Sequence, residues 1–414
     1  TEGVNVSLSG AGSHGLTSFV NVENLQGGSG NDTLTGDTGA NVLSGGDGND
    51  TLIATVDNAA DGMNGNGGVD TLDYSAYASN LTVNLQAGGT VGGSGAALDS
   101  ISAIENFTGG SGNDSITGNT AANILIGGFG NDTINGGTGG ADVVSGGDGD
   151  DDLHGGFGSS SDIIAGGAGN DIIRYSVVGT SGDGIDTVDG GADFDTLILT
   201  GQGSTNEFLD VTYNGTSLTL VELGAVTDVE AVTANMLGGV DSLTYTSPTA
   251  AVSVDLTTGL ASGFTSIAGI ENVTGGAAGD TIRASGAVNV LAGNGGDDTI
   301  IATVDNVADT FAGNAGNNTL DYSAYATALT VTLVAAGSTT VGGSGAALDI
   351  ISGFANFIGG SAGDTITGTG GANILMGGGG ADIITGAAGS DTMYGGAGND
   401  TFNYDVYSQS SPSA

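Results

Sequence analysis

Aspartate recurs along this chain at one place, the sixth residue of a nine-residue unit G-G-x-G-x-D-x-U-x in which U is a large apolar side chain. Residues 27–53 hold three such units in succession, GGSGNDTLT, GDTGANVLS and GGDGNDTLI. The chemistry on offer is hard-cation binding. A carboxylate suits Ca2+, and loop carbonyls can complete a shell of about 6–8 oxygens. Glycine makes the turn, because it takes positive φ at little steric cost. Intact units begin at Gly27, Gly45, Gly109, Gly127, Gly146, Gly166, Gly190, Gly275, Gly293, Gly359, Gly377, Gly386 and Gly395. Looser ones begin at Gly65 and Ser181, and lengthened ones run 136–145 and 155–165.

The expected calcium ligands are the sixth-position aspartates: Asp32, Asp50, Asp114, Asp132, Asp151, Asp171, Asp195, Asp280, Asp298, Asp364, Asp382, Asp391 and Asp400. The looser and lengthened units add Asp70, Asp142, Asp162 and Asp186. Carboxylates of stacked coils would lie roughly 4.8 Å apart and share ions, on the order of ten to twenty Ca2+ in all. Aspartate favours turns anyway, but turn preference does not select the same position each time. Three units carry Asn41, Asn123 and Asn373 instead, each alternating with an aspartate-bearing unit. The expectation is an acid-rich edge that binds calcium and an amide-rich edge that binds it weakly or not at all.

Charge balance points the same way. Asp and Glu number 46 against two basic residues, Arg174 and Arg283, for a net charge of −44. Such a chain resists compaction by self-repulsion, and divalent cations are the counter-charge left to it. An acidic disordered polymer would need low hydrophobicity, yet 38% of residues are hydrophobic and the mean hydropathy is +0.14. Cysteine is absent, which excludes disulfides and thiol chemistry.

The elements that position the aspartates follow from the apolar anchors. Leu34, Leu43 and Leu52 are nine apart, as are Ile116, Leu125 and Ile134, and Ile366, Leu375, Ile384, Met393 and Phe402. Two units per coil would place successive anchors on opposite sheets and stack residues eighteen apart. The fold class is therefore all-β, a parallel β-roll or β-solenoid with calcium ions in the glycine-rich turns and wider strand-rich coils between repeat blocks.

A spacer module opens on alternating apolar residues (Leu81, Val83, Leu85), the mark of a half-buried strand. It recurs at 4–28, 81–110, 252–276 and 329–360. A larger duplication relates 45–128 to 293–378, with IATVDN, DYSAYA and VGGSGAALD in both copies. The resulting organisation begins with a lead-in coil (1–26), a repeat block (27–64), a spacer (65–108) and the main repeat block (109–198). A divergent β segment with spacer (199–274), a repeat block (275–312), the second spacer copy (313–358), a last repeat block (359–403) and a tail (404–414) follow. Residues 208–223 read as a hairpin, with Asn214-Gly215 as a two-residue turn.

Catalytic constellations are missing. His14 and His154 lie far apart outside any zincin motif, there is no G-x-S-x-G elbow, and calcium explains the paired carboxylates more simply than acid–base catalysis. The chain is read as no enzyme. Phosphate-neutralising side chains are absent, which argues against nucleic acid, and no window approaches the ~20 apolar residues of a membrane span. No Sec-type leader is read at Thr1. Tyr74, Tyr77, Tyr322 and Tyr325 could stack on sugars or form subunit contacts, with core packing the plainer reading.

GGSGNDTLT, GGFGNDTIN, GGAGNDIIR and GGAGNDTFN resemble the repeats-in-toxin (RTX) family of secreted bacterial proteins. Junctions such as ENLQGGSGNDTLTG resemble segments of large surface-layer or extracellular-matrix proteins. The resemblance implies calcium-triggered folding outside the cell and type I secretion with an uncleaved C-terminal signal, although only NYDVYSQSSPSA follows Phe402. The expected function is a secreted calcium-binding structural protein that self-assembles into a surface layer, sheath or filament. The alternatives are an adhesin stalk or ligand-binding module, and the calcium-binding tail of a secreted hydrolase or toxin. The expected partners are other copies of the chain, as homo-oligomer or polymer, and acidic surface glycans or lipids bridged through calcium.

Overall fold

The computed structural model describes residues 2–8, 21–93, 96–158, 160–177, 184–222, 224–246, 249–343 and 346–403. His14, the opening of the loose unit at Ser181 and the tail 404–414 lie outside the described residues. The chain forms two compact units, Thr1–Thr200 with Glu222–Thr233, and Gly201–Val221 with Ala234–Ala414. Both are all-β, and among the described residues no helix is long and apolar enough to cross a membrane.

Each unit is built from strands mostly three to six residues long. A three-residue strand has one inward side chain and cannot hold itself together. Stacking in parallel on the next coil is what stabilises it. In the first unit Thr33–Thr35 pairs with Thr51–Ile53, placing Leu34 on Leu52, and Thr51–Ile53 pairs with Thr71–Asp73, placing Leu52 on Leu72. The facing sheet stacks Leu25 on Leu43 and Leu43 on Met63. Anchors nine apart thus alternate between sheets and those about eighteen apart stack, as the spacing predicts. The second unit repeats the scheme, with Ile366 on Ile384 in one sheet and Leu375 on Met393 in the other.

The core is a layer of apolar side chains, aliphatic at the repeat anchors and aromatic at Tyr74, Phe107, Tyr322 and Phe357. Leu34, Leu43, Leu52, Ile116, Leu125, Ile134, Ile366, Leu375 and Ile384 are buried, while Met393 is half-buried and Phe402 is 37% exposed. Each buried leucine or isoleucine contributes roughly 1.5–3 kcal/mol, and the flanking threonines face outward. Coils approach so closely that glycine is obligatory at some turns. Gly147 has φ +122°, and a Cβ there would collide with the Gly128 carbonyl of the preceding coil.

The spacers do more than widen a coil. Leu81–Asn84, Thr90–Gly93 and Ala96–Ser102 form an antiparallel meander within one sheet, and its outer strands continue the parallel stack against Ser115–Thr117 and Gly62–Gly67. Leu329–Thr332, Thr339–Gly343 and Ala346–Ser352 repeat the meander in the second unit. The hairpin at 208–223 is present, but its loop is longer than the Asn-Gly pair implies. Phe208–Tyr213 pairs with Leu218–Val221, so four residues form the loop. The Asn214 carbonyl oxygen Oδ1 accepts the N–H groups of Thr216 and Ser217 at 2.8 and 3.0 Å, which rewards the wider turn.

Tyr74, Tyr77, Tyr322 and Tyr325 belong to the core. Tyr74 Oη donates to Asp99 Oδ2 at 2.5 Å and Tyr322 Oη to Asp349 Oδ2 at 2.6 Å, while Tyr77 and Tyr325 donate to the carbonyls of Thr55 and Thr303. All four are buried.

Candidate metal centre

Every expected ligand stands immediately before a strand. The aspartates consequently form ladders along the edges of each unit, one rung per coil. In the first unit the Asp32 N–H donates to Asp50 Oδ1 at 2.8 Å and the Asp50 N–H to Asp70 Oδ1 at 2.7 Å. The other edge runs Asp114, Asp132, Asp151, Asp171 and Asp195 with the same bond at 2.7–2.8 Å. Asp142, Asp162 and Asp186 continue the first edge. In the second unit Asp280 donates to Asp298, and Asp364 to Asp382, which donates to Asp400. Asp391 accepts the Asn373 N–H at 3.0 Å.

One oxygen of each carboxyl is thereby occupied, and the other turns toward the glycines. In Asp32 and Asp280 the second oxygen accepts a glycine N–H at 2.6 Å. In Asp50, Asp70, Asp132, Asp151, Asp171, Asp195, Asp298 and Asp382 it is buried with no hydrogen-bond partner. Such an orphaned acceptor costs about 1–3 kcal/mol, more when charged. It lies over the first glycine of its own unit, beside a carbonyl of the next coil, which is a glycine's at Asp50, Asp132, Asp151, Asp171 and Asp382, Ala103's at Asp70 and Asp228's at Asp195. A Cβ on Gly127 would collide with Asp132 Oδ2 and lie 2.7 Å from the Gly146 carbonyl; on Gly146 it would collide with Asp151 Oδ2 and lie 2.8 Å from the Gly166 carbonyl.

Among the described residues no three Asp, Glu or His side chains form a metal cage by themselves. Carboxylate oxygens plus glycine carbonyls are nevertheless the donor set that Ca2+ takes, and bare glycines leave the approach open. The residues fit the ion.

The electrostatics agree. Burial, above all other causes, pushes Asp132, Asp142 and Asp151 up to about 7, and Asp70, Asp171 and Asp298 up to about 6. Neither arginine relieves this. Arg174 grips Asp152 through two bonds of 2.6 and 2.7 Å, and Arg283 lies 3.3 Å from Asp255. His154 accepts the Gly156 N–H at 2.9 Å and stacks near Phe157, so it is committed locally.

The ladders contain residues that motif matching misses. Asp61, Asp99, Glu105 and Glu230 are rungs in the first unit, and Glu207, Asp241, Glu271, Asp309, Asn318 and Asp349 in the second. Their signal is shorter than the nonapeptide, an acidic or amide residue two positions before a buried anchor, as in Asp61/Met63, Asp99/Ile101 and Asp309/Phe311.

The edges do not divide into acidic and amide ones. Asn41 is followed on its ladder by Asp61 and Asp99, and the Asn123 N–H donates to Asp142. At three coils that follow a spacer the asparagine amide has a use of its own, whereas Asn41 Nδ2 donates to Asp37 Oδ1 at 3.2 Å. Asn123 Nδ2 donates to the Glu105 carbonyl at 2.6 Å, Asn289 Nδ2 to the Glu271 carbonyl at 2.7 Å and Asn373 Nδ2 to the Ala355 carbonyl at 2.6 Å. A carboxylate cannot make that bond.

Comparison with known proteins agrees with this geometry. The RTX calcium-binding nonapeptide repeat, in its four-copy form, matches residues 22–52, 274–307, 303–321, 358–393 and 367–402. The serralysin C-terminal region of peptidase family M10, which carries the same repeats, matches residues 62–204. No curated protein matches the chain.

Proposed function

Because this chain carries RTX calcium-binding repeats, we propose that it is a secreted structural protein whose solenoid coils fold on Ca2+ and then assemble with other copies into a surface layer, sheath or filament. The supporting observation is the row of buried, unpartnered Oδ2 atoms set over the repeat glycines, beside backbone carbonyls of the next coil. Calcium, when bound, would supply the positive charge these oxygens lack. Asp50, Asp132, Asp151, Asp171, Asp195, Asp298 and Asp382 would hold it through Oδ2, and the remaining motif aspartates through the same rung position. The repeat region matches only a non-catalytic part of a peptidase family, which supports a binding role for it. The same repeats support type I secretion to the cell exterior.

Phe402, the anchor of the last described strand, is 37% exposed, and an open apolar strand edge invites pairing with another chain, which supports assembly. Acidic glycans or lipids could join through shared calcium. The test is electron microscopy of the purified chain with and without calcium. Ordered sheets or filaments only with calcium are expected, and dispersed monomers at saturating calcium would reject assembly. The match at 62–204 favours a second reading, the calcium-binding tail of a secreted hydrolase. A catalytic domain in the same gene product would decide for it.

A further inference from the structure

The divergent stretch between repeat blocks holds no G-G-x-G-x-D unit, and neither family match reaches residues 205–273. Yet it buries two carboxylates as completely as any repeat turn, since Glu207 and Asp241 are both 0% exposed. They are consecutive rungs. The Glu207 N–H donates to Asp241 Oδ1 at 2.8 Å, and the Asp241 N–H donates to Glu271 Oε2 at 2.9 Å. Thr205 Oγ1 donates to Glu207 Oε1. Glu207 Oε2 and Asp241 Oδ2 remain, both buried and both without a hydrogen-bond partner.

The Glu207 and Asp241 carboxyls lie within hydrogen-bonding range of each other, and two such groups in one desolvated place repel unless a cation or a shared proton lies between them. Arg283, the arginine of this unit, is taken by Asp255. The backbone meanwhile rebuilds the repeat cradle from other residues. Gly201 stands where a repeat has its first glycine, and a Cβ on it would lie 2.7 Å from the Met236 carbonyl and 2.9 Å from Glu207 Oε2. The spacing compensates for the longer side chain. Glu207 comes six residues after Gly201, whereas Asp132 comes five after Gly127.

We propose that Glu207 and Asp241, with the Met236 carbonyl, form a cation site for Ca2+ that the nonapeptide motif does not encode. All donors are oxygens, and carbonyl participation suits the irregular shell of calcium better than the strict octahedron of magnesium. Nitrogen and sulfur, which a softer transition metal would seek, are absent from the donor set. The site extends calcium binding into coils that the repeats skip, and it stands whether or not the repeat turns bind the ion.

Crystals of the full 414-residue chain grown in calcium, with anomalous scattering measured at long wavelength, test the proposal. The expected result is a calcium peak between the Glu207 and Asp241 carboxyls. Peaks at the Asp132 and Asp151 turns without one at Glu207 overturn this site and leave the repeat reading standing. Peaks at neither overturn both, and a peak at Glu207 alone supports this site against the other reading. In solution, the double variant Glu207→Gln/Asp241→Asn should bind one calcium fewer per chain by equilibrium dialysis, with unchanged circular dichroism at saturating calcium. Undiminished calcium in the folded double variant means that the two carboxyls share a proton instead, and the proposal falls. Should that variant not fold, the wild-type crystal decides alone.

Discussion

Each ladder aspartate divides its carboxyl between two tasks. Oδ1 caps the backbone N–H of the preceding coil, and Oδ2 faces the glycine turn, bonded to a glycine N–H in Asp32 and Asp280 and without a donor in Asp132 and Asp151. Asp151→Ala removes both, leaving the buried Asp132 N–H uncapped. We expect a loss of about 1–3 kcal/mol in saturating calcium, read as a lower urea midpoint, together with weaker calcium binding. Asn123→Asp is the informative converse. It adds a motif-like aspartate but sets a carboxylate against the Glu105 carbonyl in place of a 2.6 Å donor. Stability should fall by a comparable amount, and a gain would refute the capping role. The position of the motif aspartates was legible because glycine and aspartate types carry it. The asparagine role was not, since its partner carbonyl lies eighteen residues away in another coil.

At the scale of strands and turns, burial of the rungs sets the response to pH. Asp132, Asp142, Asp151 and Asp309 are pushed up to about 7 by burial, well above an unfolded aspartate. The folded chain without metal therefore holds protons that the unfolded chain releases. Its stability is present in full below about pH 4 and is lost as pH rises through about 7. In chelator, β-sheet circular dichroism should be strong near pH 4 and weak near pH 8, and calcium should restore it at pH 8. A signal indifferent to pH in chelator would mean that these carboxylates carry no such burden. Glycine acts at this scale too. Gly147→Ala forces a Cβ into the Gly128 carbonyl at φ +122°, and the strain should cost at least about 1–3 kcal/mol, measured as a fall in melting temperature. The three-residue strands were legible from the nine-residue anchor spacing. The meander inside each spacer was not, because its alternating apolar residues read the same whether the neighbour runs parallel or antiparallel.

For the whole molecule, weak sites add up. A site with calcium at ten times its Kd stabilises the folded state by about 1.4 kcal/mol. On the order of ten such sites would contribute about 14 kcal/mol, as large as the entire stability of an ordinary domain at ~5–15 kcal/mol. Individually modest ions can thus decide whether the chain is folded. Calorimetric titration should find on the order of ten to twenty sites in the weak extracellular range of roughly 10⁻⁴–10⁻³ M. One or two sites would reduce most ladder aspartates to caps.

The sequence by itself determined the parallel roll, the alternation of anchors between sheets and the rung position of every motif aspartate. Those features depend on spacing along the chain, and spacing is what a repeat writes down. Only the tertiary structure decided which residues share a rung, that the tyrosines are core, that asparagine caps the coil after a spacer and that Glu207 meets Asp241. Each of those rests on which coil lies next in the stack, and that neighbour is set by the spacers and by backbone bonds between residues eighteen to forty positions apart. The aspartate of the nonapeptide is therefore a local signal with a non-local partner, the backbone N–H of the neighbouring coil that Oδ1 caps, and the unpartnered Oδ2 beside it is where a cation would be held.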